Sequence, residues 1–163
     1  MVKSMLSFNS PHFDKKKKSY FEASFSLSTL YLLAMVRTNY SSGSKWEHVI
    51  GYSRAVKVGN VIEVSGTVAS GDDGKVVGID DAYAQTKFIY EKIKTTLERA
   101  GASMKDVVRV RMFVTDIFLW QEYGRAHSEF FRDIKPCNTM VEVNALIDPE
   151  YLIEIEATAI ITT

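Results

Sequence analysis

The side chains whose type and spacing best suit chemistry are the two glutamates of LIEIEA, Glu154 and Glu156. Side chains alternate along an extended strand, so both carboxylates fall on one face while Ile153, Ile155 and Ala157 take the other. A carboxylate held this way can orient a water molecule or carry a proton as a general acid or base. The plainer reading is an ion pair, because VVRVRMFVTD at 107 to 116 reads as a strand that puts Arg109 and Arg111 on a common face. The remaining reactive side chains are scattered. His12, His48 and His127 form no His-x-x-x-His pair and Cys137 is the single cysteine, so no metal site and no intrachain disulfide are expected. His127 falls on the apolar side of a helical pattern and reads as a packed, hydrogen-bonded residue. Cys137, beside Pro136, has no acid or base partner nearby in sequence and reads as a small packed residue.

These groups need a scaffold, and its elements are legible in the hydrophobic period. YSRAVKVGNVIEVSG at 52 to 66 places two β-branched runs around Gly59-Asn60, the signature of a tight hairpin. VASGDDGKVVGIDD at 68 to 81 is a loop whose glycine spacing fits neither a P-loop nor a dinucleotide fingerprint. From Asp80 to Ala100 the apolar residues Ala82, Ile89, Ile93 and Leu97 follow a helical period that Gly101 ends. A second helix is predicted over roughly 118 to 133, followed by the strands TMVEVNAL and YLIEIEATAII. The order strand, strand, helix, strand, helix, strand, strand predicts an α+β domain, one mixed sheet with both helices on one face. The other face is expected to show Arg109, Arg111 and Phe113, Asn138, Met140 and Glu142, and Glu154 and Glu156, either to water or to another subunit.

The chain has 163 residues, 46% hydrophobic and 25% charged, which suits one folded domain. Formal charge is zero overall, but residues 35 to 163 hold 15 basic and 18 acidic side chains. A mildly acidic body argues against nucleic-acid binding. Residues 1 to 34, with KKKK at 15 to 18 ahead of a serine-broken apolar run, are too short and polar to span a bilayer. They read as a disordered or non-native extension rather than a secretory signal, with the domain running from 35 to 163. A cytoplasmic location and no membrane partner are expected, in keeping with the lone cysteine.

Several stretches then fall together. VGNVIEVSGTVA, ERAGASMKDVVRVRMFVTD and PCNTMVEVNALIDPEYLIEIEATAI resemble, in order and spacing over residues 46 to 161, the reactive intermediate deaminase (Rid, YjgF-type) family, formerly labelled endoribonuclease L-PSP. The resemblance implies a chorismate-mutase-like fold, a homotrimer with small-molecule pockets between subunits, and hydrolysis of 2-imino acids or their enamine tautomers without metal or cofactor. It also implies site residues: Tyr52, Gly66 and Phe113 shaping the pocket, and Glu154 orienting water. Where the family has Pro-x-Arg to grip the substrate carboxylate, this chain has Pro136-Cys137-Asn138. The sequence also resembles a branch of the family that lacks this arginine, marked here by Trp46-Glu47, Gly51-Tyr52-Ser53-Arg54, Gly124 to His127 and Thr139 to Val143. A neutral amide cannot supply the charge and two-pronged fit of a guanidinium, so Asn138 removes the physical basis for the usual 2-imino-acid specificity. Arg111 or Arg109 is the sequence's candidate replacement cation. Two functional readings stand: a deaminase acting on an imine, enamine or related reactive metabolite, and a non-catalytic trimer binding a metabolite in the same cleft. The ribonuclease reading ranks last.

Overall fold

The computed structural model describes residues 36 to 162, and the expectation for residues 1 to 34 lies outside them. The hairpin forms as read, with β2 (Ala55–Val58) and β3 (Val61–Val68) paired antiparallel, Val58 against Val61. Gly59 sits at φ 60°, the left-handed backbone that this turn needs. Helix α1 (Ala82–Arg99) opens on Asp81, whose carboxylate accepts from the amide of Ala84 at 2.9 Å, and ends before Gly101 at φ 80°. Strand β4 (Val107–Val114), helix α2 (Trp120–Phe131), β5 (Cys137–Glu142) and β6 (Ile153–Ile160) follow.

The sequence reading missed one strand. Arg37–Tyr40 forms β1 and pairs antiparallel with β2. RTNY has no alternation to betray it, because this edge strand is held by its backbone ladder and buries almost no side chain. The six strands run in the order β1-β2-β3-β6-β4-β5, antiparallel except for β4 and β5, which α2 connects in parallel. The last strand of the chain therefore lies in the middle of the sheet, as an antiparallel partner to both β3 and β4.

One face of the sheet carries the core. Ile62, Val64, Val110, Met112, Val114, Ile153, Ile155 and Ala157 pack beneath Ile89, Tyr90, Ile93 and Leu97 of α1 and Tyr123 and Phe131 of α2. Both helices thus cover one face, as the sequence pattern predicts. His127 is packed there too, its Nδ1 2.7 Å from the Tyr90 hydroxyl, and burial lowers its pKa. The fully buried side chain of Gln85 ties the layers together. It donates to the carbonyls of Gly78 (3.2 Å) and Glu150 (2.8 Å) and accepts from the amide of Leu152 (2.9 Å).

The register corrects one expectation about the open face. Asn138, Met140 and Glu142 stand opposite Val110, Met112 and Val114, so they lie on the helix side of the sheet. Glu142 accepts from the amide of Ile117 at 2.9 Å and Met140 packs against the core. Cys137, Thr139 and Val141 are the β5 residues that join Arg109, Arg111 and Phe113 on the open face. Parallel pairing sets the phase of β5, and an edge strand exposed on both sides leaves no alternation from which to read it.

Replacing Gln85 by Ala deprives two carbonyls and an amide of their part-buried partner. A buried polar group left without a partner costs about 1–3 kcal/mol, so Gln85→Ala is expected to destabilise the fold by at least about 2 kcal/mol in urea titration.

Candidate functional site

The site is built around a missing side chain. Between Val64 and Thr67 the β3–β6 ladder shifts register, leaving Ser65 and Gly66 bulged beside β6. Gly66 has no positive φ, so backbone freedom does not explain it. Space does, because a Cβ there would overlap Oε1 of Glu154 and stand 2.9 Å from its Cδ. The Glu154 side chain lies across the open Cα of Gly66, and only glycine admits it.

Phe113 stands directly opposite Glu154 across the β4–β6 ladder, on the same face. Tyr52 follows a short helical turn, Glu47–Gly51, and its amide returns to the Glu47 carbonyl at 3.1 Å. That turn is anchored by the buried Glu47 carboxylate, which accepts from the amide and hydroxyl of Ser42 at 2.8 and 2.6 Å. Burial pushes the Glu47 pKa up, but hydrogen bonds from Ser41 and Ser42 and the charge of Arg54 outweigh it, and the net shift is downward. Arg54 lies over the Tyr52 ring, its Cζ 5.8 Å from the centroid, and donates from Nη1 to the Gly66 carbonyl (3.0 Å) and the Thr67 hydroxyl (2.7 Å). Four of the residues read from the sequence are thus linked in a row: Arg54 joins Tyr52 to Gly66, Glu154 lies across Gly66, and Phe113 is the ladder partner of Glu154.

The two glutamates of LIEIEA take different roles. Glu156 pairs with Arg111 at 3.0 Å, the structural role expected for such a carboxylate. The Glu154 carboxylate makes no ion pair or hydrogen bond among the described residues. Burial raises its pKa above the ordinary value, the neighbouring Glu156 charge adds to the rise, and Arg54 opposes both. A half-buried, unpaired carboxylate with a raised pKa has the chemical character that general acid-base groups share.

Two residues read from the sequence stand elsewhere. Arg111, committed to Glu156, lines a shallow depression of about 210 Å³ on the open face with Arg109, Glu63 and Thr158; Glu154 lies outside it. Asn138 is opposite Val110 and Glu154 is opposite Phe113, two strands apart and on different faces. At roughly 3.3 Å per residue and 4.8 Å per strand, this separation is on the order of 14 Å. One chain therefore does not bring Asn138 to Glu154. Arg54 is the residue the sequence reading passed over: it appears there only as the last letter of Gly51-Tyr52-Ser53-Arg54.

A mixed sheet with two helices on one face and a carboxylate lodged over a strand glycine on the other defines a small α+β protein of the YjgF type. The endoribonuclease L-PSP family profile matches residues 43–161, and the chain belongs to that family, the YjgF/Rid family. A RutC family protein of Pyrococcus abyssi is 40% identical over 108 residues, 66% of this chain and 84% of the relative. The 3-aminoacrylate deaminase RutC of Acinetobacter baylyi is 36% identical over 111 residues, 66% of this chain and 85% of that protein. Among solved structures, Rv2704 of Mycobacterium tuberculosis, a YjgF-family member, superposes with a TM-score of 0.70 at 47% identity, covering 77% of this chain and all of that one. No helix of the described residues is long and apolar enough to cross a membrane.

The raised Glu154 pKa has a measurable sign. Below about pH 4 both folded and unfolded chains hold this carboxyl protonated; as pH rises through the raised value, the folded chain must ionise a half-buried group and stability is lost. Glu154→Gln is therefore expected to raise the thermal midpoint relative to the wild type at about pH 8, with the gap closing toward about pH 4. Midpoints recorded across that range check it.

Proposed function

We propose that the protein is a homotrimeric hydrolase of small imines or enamines, with Glu154 directing the water. The observation that carries this reading is the unpaired Glu154 carboxylate over Gly66, half-buried and with its pKa raised. Water held by Glu154 adds to the C=N carbon as the carboxylate takes one of its protons. Glu154 then delivers that proton to the nitrogen, and the carbinolamine collapses to a carbonyl and ammonia. The overall change is imine plus water to carbonyl plus ammonia, which needs no redox partner. Tyr52 and Phe113 supply flat walls for a planar substrate, and the relative named 3-aminoacrylate deaminase supports an enamine or imine class.

The trimer reading rests on two features of the single chain. Arg109, Arg111, Phe113, Val141 and Glu156 lie on a sheet face that no helix of the described residues covers. Asn138 lies beyond the reach of Glu154 within its own chain, so a pocket containing both needs a neighbouring copy. As a neutral amide it suits a hydrogen bond to a neutral carbonyl, amide or imine group.

The catalytic test generates 2-iminobutanoate and an uncharged imine in situ and follows ammonia release. Wild-type acceleration of at least one, lowered about 100- to 10,000-fold in Glu154→Gln, is expected for loss of a general acid-base group. Equal rates in the two proteins remove Glu154 from the chemistry. If the wild type accelerates neither substrate, the non-catalytic metabolite-binding reading takes its place. Activity toward the imino acid that appears only in Asn138→Arg shows an intact scaffold whose substrate has changed.

Sedimentation tests the assembly independently. A species of about three chain masses is expected at micromolar concentration. A stable monomer excludes the shared pocket.

A further inference from the structure

Arg54 and Glu154 reach Gly66 by different routes, one to its carbonyl and the other across its Cα, yet they form no ion pair with each other. Two opposite charges held this close without joining need a cause. Arg54 has one in its hydrogen bonds: Nη1 donates to the carbonyls of Ser65 (3.5 Å) and Gly66 (3.0 Å) and to the Thr67 hydroxyl (2.7 Å). These contacts pin one corner of the guanidinium to the bulge. Nε and Nη2 make no hydrogen bond among the described residues. The Tyr52 ring, 5.8 Å from Cζ, forms a wall beside the group. Among the described arginines, Arg111 pairs with Glu156 and Arg125 with Glu122, but no ion pair of the described residues involves Arg54.

We propose that Arg54 is the specificity-determining cation of the Glu154 site and that its unoccupied N–H groups take the carboxylate of a small anionic ligand. The proposal builds on the reading of Glu154 as the water-directing group. The positive charge that the family motif places at position 138 is supplied here from the approach to β2, leaving position 138 free to be an amide. Guanidinium geometry suits the task, since its donors are fixed in a plane that matches a carboxylate. The surroundings add to the positive field. Lys92, half-buried and donating to the Ser70 carbonyl at 2.6 Å, has its pKa lowered by burial first and by the Arg54 charge second, with Asp72 opposing.

A purely structural Arg54, tying the approach to β2 onto the bulge, predicts a different pattern, and the two can be separated without turnover. The binding of 2-oxobutanoate and of its uncharged counterpart 2-oxobutanamide is measured by calorimetry on the full chain as wild type, Arg54→Gln, Arg54→Lys and Glu154→Gln. The wild type is expected to prefer the keto acid. Arg54→Gln is expected to weaken the keto acid by about 30-fold or more while changing the amide by less than about threefold, as for loss of one partner of a desolvated charge pair. Arg54→Lys retains part of the preference, because it keeps the charge and loses the fork.

A wild type that does not distinguish the two ligands overturns the proposal whether or not any variant folds. Equal weakening of both ligands in Arg54→Gln also overturns it, as does no weakening of either. Keto-acid preference in Glu154→Gln, together with an unchanged hydrolysis rate in that variant, upholds the Arg54 assignment and removes the hydrolase reading, so the two fail separately.

Discussion

Strand β6 hydrogen-bonds to β3 on one side and to β4 on the other, so it cannot slip without breaking both ladders. Its side chains alternate strictly, with Ile153, Ile155 and Ala157 entering the core and Glu154 and Glu156 leaving it. A slip of one residue would drive both carboxylates beneath the helices and turn the isoleucines outward, an exchange that hydrophobic burial strongly opposes. The packing that holds the protein together therefore also fixes the height and direction of the candidate catalytic carboxylate. Gln85 extends the constraint by fastening the Leu152 amide, just before β6 begins, to the first turns of α1.

Around Gly66 the electrostatics follow from who binds the backbone first. Arg54 satisfies carbonyls that the bulge removes from the ladder, and this keeps its charge near Glu154 without quenching it. Had the two formed a tight pair, Arg54 would have held the carboxylate firmly ionised and left little capacity for proton exchange. Glu156 illustrates the opposite arrangement: one strand position on the same face, two residues along, paired with Arg111 and exposed enough for water to screen it.

Much of this was legible in the residues. The Gly59-Asn60 hairpin, both helices and the two-faced β6 follow from turn chemistry and hydrophobic period, which are local properties. The phase of β5 and the existence of β1 were not, because both are edge strands whose pairing is decided by a neighbour's backbone rather than by their own side-chain pattern. The glycine at 66 was readable only through family likeness; its reason, the seat of Glu154, is a contact between residues 88 positions apart in sequence. Arg54 was visible as part of a motif and silent as to role, since nothing in a linear sequence shows which N–H groups of a guanidinium remain unused.

The seat that Gly66 offers to Glu154 can be taken away with little else disturbed. A single added methyl, as alanine, meets the far end of a flexible side chain rather than packed backbone, so the carboxylate gives way and the sheet does not. Under the proposed function, one added carbon atom separates binding from turnover, because Tyr52 and Arg54 keep their places while the carboxylate leaves its seat. On that reading a Gly66→Ala chain is the form suited to affinity capture, since it would hold a ligand without consuming it.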